Sequence, residues 1–346
     1  MKKRILNLGL LALFLMSLLS CSSHDESLPV RQLKPERAIH QLSDSSFFSD
    51  IRSIVYYKDR YFLTDYERDN IFILNKNLEL EKTLGRKGKG PGELLGSSQL
   101  GLYHDSIFVS NDYKRTIEVF NDTIHLQTLH IPKSLYMKLG LRLGMKDEKI
   151  FVSSYNGRNC ISGISLHSDS ILSFGDLKPY RTPRETRIKN GRHIQVMGNR
   201  IVAVSVCRPE MEIYNLSGVK VGAYNYGEIP LVRAFMQYVD RQPKEEDSYD
   251  RLASDIYASG NKIFILTLSI GKEGNRHCNT IIEFELADDH IVPVQILDLG
   301  NGWFGPICVS NDKVLAYDQR VATLTLYDIP ESVETHEMAS NNLSEE

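Results

Sequence analysis

The chain repeats one local pattern six times: a tight turn of polar residues or glycine runs directly into a pair of apolar residues. The first apolar residues of the six copies lie 43 to 62 residues apart, at Tyr61, Ile107, Ile150, Ile201, Ile263 and Val314. Repeats of roughly 40 to 50 residues that each hold several short strands are typical of β-propeller blades. The spacing therefore predicts an all-β, six-bladed β-propeller with four antiparallel strands in each blade.

The turns support this prediction because they occupy the same place in every repeat. Asn, Asp and Gly dominate them, and these residues tolerate positive φ or bond to their own backbone. Each turn joins the innermost strand of a blade to the next strand. The six turns are Lys58-Asp59, His104-Asp105, Asp147-Glu148, Gly198-Asn199, Gly260-Asn261 and Asn311-Asp312.

The two ends of the chain predict how the ring closes. The sixth repeat supplies three strands where a blade needs four, and one apolar segment, residues 37–42, lies upstream of the first repeat without a blade of its own. If this segment pairs with the last blade, it removes the open edge that a linear array of sheets would expose. We therefore expect an N-terminal strand to complete the sixth blade, and we place the propeller at residues 35–330.

Two segments depart from the repeat. In the connection after the fourth repeat, Leu231, Phe235 and Val239 are spaced four residues apart, which predicts a short amphipathic helix. Residues 331–346 contain Glu but no Lys or Arg and lack apolar periodicity, so we expect an acidic disordered tail.

The N-terminus carries the features of an export signal. Lys2, Lys3 and Arg4 precede an apolar run that is too short for a stable membrane span but fits a secretory signal. The run ends in Ser20-Cys21, which resembles the lipobox of bacterial lipoproteins. This resemblance implies a signal peptide at residues 1–20, lipid attachment at Cys21, a tether at residues 21–34, and an outer-membrane lipoprotein that faces the periplasm or the cell surface.

The first two repeats resemble the NHL repeat, in which an apolar strand, Asp, a short turn, Arg and a second apolar strand follow one another. The matching segments are residues 62–73 and 108–120. Together with the lipobox and the Gly-Pro-Gly-Glu loop at residues 90–93, the chain resembles the TolB-like, NHL-like six-bladed propeller lipoproteins of Bacteroidetes. The later repeats match less well, since Cys207-Arg208-Pro209 replaces the Asp-turn-Arg arrangement. The resemblance implies an exported, lipid-anchored propeller, often without an assigned activity.

Candidate ligand-binding residues lie in connections that share one face of a propeller. An Arg occurs in or beside every connection between the second and third strands, and guanidinium groups suit carboxylate, sulfate or phosphate. The alternative is that each Arg pairs with an Asp of its own turn. Aromatic residues in the connections between blades suit sugars or peptides, or else they pack between blades. The candidates are Arg158, Arg208, Arg276, Tyr136, Tyr180, Trp303 and Phe304.

Other classes of function find little support in the sequence. The net charge is −3, which argues against nucleic acid as a partner. The glycine-rich loop at residues 85–92 lacks the Lys-Ser/Thr pair of a nucleotide-binding loop, and Pro91 opposes a helix start there. Cys160, Cys207, Cys278 and Cys308 have no zinc-binding spacing, although Cys160 and Cys207 lie on neighbouring repeats, where a disulfide is an alternative to free thiols.

The predicted starts of the innermost strands show what the central channel contains. They lie near Asp50, Ser98, Gly140, His193, Asp255 and Gly305. Two acids are too few to predict a hard-cation site, so we expect no catalytic residue, no metal and no cofactor. The sequence favours a non-catalytic module that binds a glycan, a peptide or an envelope protein. The alternative is a metal-dependent hydrolase or lyase with its site in the channel.

Overall fold

The computed structural model describes residues 27–138, 140–245 and 247–330 of the chain. These residues form six sheets, and the innermost strand of each sheet contacts those of its two neighbours, so that the sheets close into a ring. The predicted six-bladed β-propeller is therefore confirmed. The predicted signal peptide, Cys21 and the acidic tail lie outside the described residues.

Each blade is an antiparallel sheet whose strands follow one another from the axis outward. Two strands precede the first blade: β1 (Val30–Gln32) and β2 (Lys34–Ile39). Blade 1 holds β3 (Ile51–Tyr57), β4 (Arg60–Asp65), β5 (Asn70–Asn75) and β6 (Leu80–Leu84). Blade 2 holds β7 (Ser97–Tyr103), β8 (Ser106–Asn111), β9 (Thr116–Phe120) and β10 (His125–His130). Blade 3 holds β11 (Tyr136–Met137), β12 (Gly144–Lys146), β13 (Lys149–Tyr155), β14 (Asn159–Ser165) and β15 (Ile171–Asp176).

A helix precedes each of the next two blades. After α1 (Pro183–Lys189), blade 4 holds β16 (Arg192–Met197), β17 (Arg200–Ser205), β18 (Glu210–Asn215) and β19 (Lys220–Asn225). After α2 (Pro230–Arg241), blade 5 holds β20 (Ala253–Ser259), β21 (Lys262–Ile270), β22 (Arg276–Ala287) and β23 (His290–Asp298). Blade 6 holds β24 (Phe304–Ser310), β25 (Lys313–Asp318) and β26 (Thr323–Asp328).

The six predicted turns adopt hairpin conformations that match their residues. In blades 1, 2, 3 and 6, both central residues have positive φ, for example Asn311 at 48° and Asp312 at 55°. In blades 4 and 5, the first central residue is Gly198 or Gly260, and only that glycine has positive φ. These are the patterns of type I′ and type II′ turns, whose twist suits antiparallel strands. The turn chemistry thus fixes the strand order from the axis outward.

An N-terminal strand closes the ring as predicted, although it begins and ends three residues earlier than the predicted segment 37–42. Strand β2 pairs antiparallel with β26 and supplies the fourth strand of blade 6. Strand β1 goes beyond the prediction, because it pairs in parallel with the outer strand β23 of blade 5. Residues 30–32, which we assigned to the tether, are therefore part of the fold. The first residues of the propeller hold two neighbouring blades together.

The two helices and blade 3 depart from the regular repeat. The predicted amphipathic helix is α2, which buries Val232, Phe235 and Val239. Helix α1 was not predicted; the Thr182 hydroxyl caps it by accepting from the backbone N–H of Glu185 at 2.9 Å. Strand β12 is shorter than the predicted 141–145, since the carbonyl of Arg142 accepts from Ile194 of blade 4 instead of pairing within its own blade. None of the described helices is long and apolar enough to cross a membrane.

Candidate ligand-binding pocket

A buried arginine closes the central channel. Arg142 is 1% exposed, and its guanidinium donates two hydrogen bonds to the Asp255 carboxylate of blade 5, at 2.7 and 2.6 Å. It also donates to the carbonyl oxygens of Ile54 in blade 1, at 2.9 Å, and Ile307 in blade 6, at 2.8 Å. Bidentate pairing with further acceptors offsets the cost of burying this charge. Four blades meet at this side chain, and the channel becomes two blind ends.

One blind end is a pocket of about 310 Å³, which lies at the low end of the range for small-molecule sites. It opens on the face where the innermost strands begin. Five of the six predicted strand starts line it: Ser98, Gly140, His193, Asp255 and Gly305. Residues from the connections between second and third strands also line it, as expected for connections that share this face of the propeller. We call this cavity the axial pocket.

Two polar side chains in the axial pocket are almost fully buried. Gln99 is 4% exposed, and its Nε2 donates to the carbonyl oxygens of Arg52, at 3.1 Å, and Gly140, at 3.4 Å. His193 is 2% exposed, and its Nδ1 accepts from the backbone N–H of Arg142 at 3.3 Å. Within the described part of the chain, Gln99 Oε1 and His193 Nε2 have no hydrogen-bond partner. The Ala253 backbone interacts with the imidazole, but without hydrogen-bond geometry at Nε2.

The protonation of His193 follows from its surroundings. Burial lowers the pKa of His193 to about 4, and the positive charges of Arg251 and Arg142 act in the same direction. The ring is therefore neutral at pH 7 and carries one proton. Since Nδ1 accepts a hydrogen bond, that proton is on Nε2. The axial pocket thus offers one open acceptor, Gln99 Oε1, and one open donor, His193 Nε2.

Charged groups surround the entrance. Arg52 pairs with Asp50 at 2.5 Å and lies over the Tyr66 ring, 4.9 Å from its centroid. Asp112 accepts from the Ser98 hydroxyl at 2.7 Å, and burial raises the pKa of Asp112 to about 6. Arg251 is exposed at the rim. Among the described residues, neither Asp112 nor Arg251 has an ion-pair partner within 4.0 Å.

Of the candidates drawn from the sequence, only Trp303 lines the axial pocket. It is half-buried, its backbone N–H donates to Asp318 at 3.3 Å, and the Arg320 guanidinium lies 5.6 Å from the ring centroid. Phe304, its neighbour, requires a correction. Phe304 is 2% exposed and packs edge-on against Tyr327 in the hydrophobic core, because alternate residues of a strand point to opposite sides. It cannot contact a ligand in the pocket.

The other candidates lie away from the axial pocket and do not form a ring around it. Arg208 pairs with Glu210 at 2.8 Å and donates to the Tyr180 hydroxyl at 2.8 Å. Arg276 pairs with Asp250 at 2.7 Å. Neither arginine has an Asp in its own connection, and each forms an ion pair with another acid of the fold instead.

Two candidates of blade 3 are exposed. The Arg187 guanidinium lies 4.5 Å from the ring centroid of Tyr136, which is 45% exposed. Arg158 is exposed and forms no ion pair within the described ranges. Exposure at the rim alone does not bring either side chain to the axis.

The residues that sequence reasoning missed follow a simple positional rule. In blades 1, 2 and 6, the residue directly after the second strand lines the axial pocket: Tyr66, Asp112 and Gln319. The Arg of each of these connections comes one to three positions later and does not line the pocket. The predicted strand starts already located His193, whereas Gln99, one position beyond a predicted start, was not singled out. Arg142 had no local signal, because its side-chain partners are 88 to 165 residues away.

The cysteines and acids of the described residues form neither a disulfide nor a metal-binding cluster. Cys160, Cys207, Cys278 and Cys308 are free thiols, and all but Cys207 are fully buried. Burial raises the pKa of Cys278 and Cys308 to about 12. In residues 27–138, 140–245 and 247–330, no three His, Cys, Asp or Glu side chains come together in a way that could hold a metal ion.

Comparison with known proteins supports the fold. The DUF5128 family, described as a six-bladed β-propeller, matches residues 41–121, which is less than half of the chain. Among solved structures, a protein of Bacteroides fragilis described as exported is 12% identical, with a TM-score of 0.55 over 86% of this chain and 98% of that one. A streptogramin B lyase is 11% identical, with a TM-score of 0.51 over 85% of this chain and 98% of that one. At these identities the likeness concerns the fold alone. No curated protein sequence matches significantly.

Proposed function

We propose that the protein is a non-catalytic binding module, anchored by lipid on Cys21 in the cell envelope, and that its ligand enters the axial pocket. The observation that carries this proposal is the open pair at the bottom of the pocket, Gln99 Oε1 and His193 Nε2. An unpartnered buried polar group costs about 1–3 kcal/mol. A fold that keeps two of them at the end of a blind pocket is suited to a ligand, or to water that a ligand displaces.

The size of the axial pocket indicates the kind of ligand. A cavity of about 310 Å³ admits a small molecule or the end of a chain, not the surface of a folded protein. The side chains around it can orient a ligand by hydrogen bonds, charge and aromatic contact. A metal-dependent hydrolase or lyase remains the alternative, but the described residues offer it no ligand set.

Trp303 provides a direct test, because it is the only tryptophan of the chain and it lines the pocket. A panel of amino acids, short peptides, monosaccharides and disaccharides is titrated against the protein while tryptophan emission is recorded. We expect at least one class to change the emission saturably, and Gln99→Met to weaken that binding. If no class does so with folded protein, the proposal fails.

The envelope location has its own test. We expect the wild-type protein in the membrane fraction and a Cys21→Ala variant in the soluble exported fraction. Equal partition of the two proteins would contradict lipid anchoring.

A further inference from the structure

We propose that the axial pocket binds a short peptide with both termini free, whose backbone amide lies between Gln99 and His193, whose ammonium group faces Asp112 and whose carboxylate faces Arg251. This inference rests on the proposed function and names its ligand class. It follows from four polar groups of the pocket. Gln99 Oε1 and His193 Nε2 have no hydrogen-bond partner among the described residues, and Asp112 and Arg251 have no ion-pair partner there.

The bottom of the pocket matches an amide group. Gln99 Oε1 needs a donor, and His193 Nε2 offers a proton and needs an acceptor. A peptide unit supplies both, since its N–H donates and its C=O accepts. The two side chains are held in place: Gln99 by the carbonyls of Arg52 and Gly140, and His193 by the backbone N–H of Arg142. Such fixed partners lower the entropy cost of binding.

The entrance matches two opposite charges. Asp112 belongs to blade 2 and Arg251 leads into blade 5. These blades lie opposite each other in the ring of six, so the carboxylate and the guanidinium face the pocket from opposite sides. The remaining charges nearby are already paired, Arg52 with Asp50 and Arg142 with Asp255. An extended peptide spans about 3.3–3.6 Å per residue, so two or three residues separate their end charges by roughly 7–11 Å. A peptide of this length thus presents opposite charges at its two ends, as Asp112 and Arg251 require.

Other small molecules match fewer of these groups. A neutral sugar satisfies Gln99 and His193 through a hydroxyl group but offers no opposite charge to Asp112 and Arg251. A single amino acid carries both charges but has no peptide unit. The short zwitterionic peptide is the class that satisfies all four, with Trp303, Leu268 and Pro306 as apolar contacts for its side chains.

Tri-alanine and its blocked forms test the proposal. Tri-alanine, N-acetyl-tri-alanine, tri-alanine amide and the neutral disaccharide maltose are titrated at pH 7.5 by calorimetry and by Trp303 emission. We expect tri-alanine to bind at least ten-fold more tightly than either blocked peptide, since about 1.4 kcal/mol per charged contact corresponds to a factor of ten. Maltose should bind more weakly than tri-alanine.

Four variants assign the contacts. In Asp112→Asn, N-acetylation should no longer weaken binding, and in Arg251→Gln, amidation should no longer weaken it. His193→Asn keeps an acceptor near the Nδ1 position and removes the Nε2 donor, so every peptide should bind less tightly. Arg158→Gln, a change of another exposed arginine outside the pocket, is the matched control and should behave as wild type.

Each outcome has a distinct meaning. Equal affinity for free and doubly blocked peptides in the wild type would overturn the charge assignment. Maltose binding that exceeds tri-alanine binding and depends on His193 would overturn the peptide class but leave the binding pocket. If no probe changes the Trp303 emission, the result would count against the proposed function itself. If His193→Asn fails to fold, the exposed Arg251→Gln variant still decides the question.

Discussion

Two groups of buried polar side chains in this propeller differ in how fully the protein itself satisfies their hydrogen bonds. In blade 2, the Glu118 carboxylate is fully buried and contacts four partners: Lys114 at 2.8 Å, Thr116 at 2.8 Å, Thr128 at 2.6 Å and His125 at 2.9 Å. In the axial pocket, Gln99 and His193 each keep one atom without a partner. The protein supplies all the hydrogen-bond partners of the first group. The second group needs a partner from outside the protein.

The Glu118 group also explains the glycine-rich loop. Lys114 donates to the carbonyl oxygens of Gly90, at 3.0 Å, and Glu93, at 2.9 Å, while it pairs with Glu118. Gly85 and Gly92 have positive φ, as the loop requires. The loop is thus tied to blade 2 by its own carbonyl oxygens. These contacts give it a structural role.

The arrangement of Glu118 recurs in other blades. Glu212 of blade 4 occupies the same register position of the third strand, since it lies opposite Ala203 as Glu118 lies opposite Val109. Glu283 of blade 5 lies opposite Phe264, one position nearer the hairpin turn. Glu212 pairs with Arg192 and Lys220, and Glu283 with Lys262. Paired buried charges at equivalent or neighbouring positions therefore belong to the blade architecture. Unpartnered buried polar atoms also occur elsewhere in the described residues, for example at Asn70, Tyr214 and Tyr226. Those of Gln99 and His193 differ because both side chains line the axial pocket.

The largest effect is expected at the base of the pocket. Arg142→Met should cost about 3–5 kcal/mol of unfolding free energy, because it leaves the buried Asp255 carboxylate without its cation. Chemical denaturation followed by circular dichroism measures it. A cost below about 1 kcal/mol would show that the Arg142–Asp255 pair does not hold the blades together.

Glu118→Ala should lower the unfolding free energy by about 2–4 kcal/mol and leave tri-alanine affinity unchanged. Burial raises the pKa of Glu118, but hydrogen bonds from Lys114, Thr128 and Thr116 outweigh it and hold the pKa below the usual 4.5. This carboxylate therefore stabilises the fold above that pH, and the stabilisation is lost as the pH falls through the lowered pKa. A variant as stable as wild type at pH 7, or one with altered peptide affinity, would erase the contrast between the two groups.

Asp112→Asn, in contrast, should raise the free energy of unfolding. Asp112 faces Ser98, Arg52 and Tyr66, and burial raises its pKa from 3.8 to about 6. The folded state therefore loses stability as the pH rises from 3.8 to 6, by roughly 1–3 kcal/mol at 1.36 kcal/mol per pKa unit. Asn retains the acceptor for Ser98 without the charge.

Thermal unfolding of both proteins at pH 4 and pH 7.5 measures this effect. The variant should gain stability only at pH 7.5, while it loses preference for a free peptide ammonium. Wild-type preference for that ammonium should likewise decline below pH 6. Equal unfolding temperatures at pH 7.5 would show that the pocket does not strain the Asp112 carboxylate.

The smallest effects on stability are expected for the two exposed arginines. Arg251→Gln and Arg158→Gln should each change the unfolding free energy by less than about 0.5 kcal/mol, since surface substitutions rarely do more. Only Arg251→Gln should reduce affinity for tri-alanine. If both variants or neither reduce it, the rim charge plays no specific part in recognition.

The repeat explains how much the sequence could predict. Turn pairs such as Asn311-Asp312 and alternating strands are local signals, so the blades, their order and closure by an N-terminal strand were accessible. The bounds of that strand were predicted three residues too late, at 37–42 instead of 34–39. Trp303 was found because a single tryptophan beside Asn-Gly marks a loop. Arg142 was not, because its role depends on groups from three other blades. Phe304 was misassigned, since one step along a strand exchanges surface for core.

The most direct measurement is a crystal structure of the protein with tri-alanine. We predict one peptide in the axial pocket, with an amide within hydrogen-bond distance of Gln99 Oε1 and His193 Nε2, its ammonium group at Asp112 and its carboxylate at Arg251. Peptide bound elsewhere on the molecule at saturating concentration, with only water between Gln99 and His193, would contradict the account.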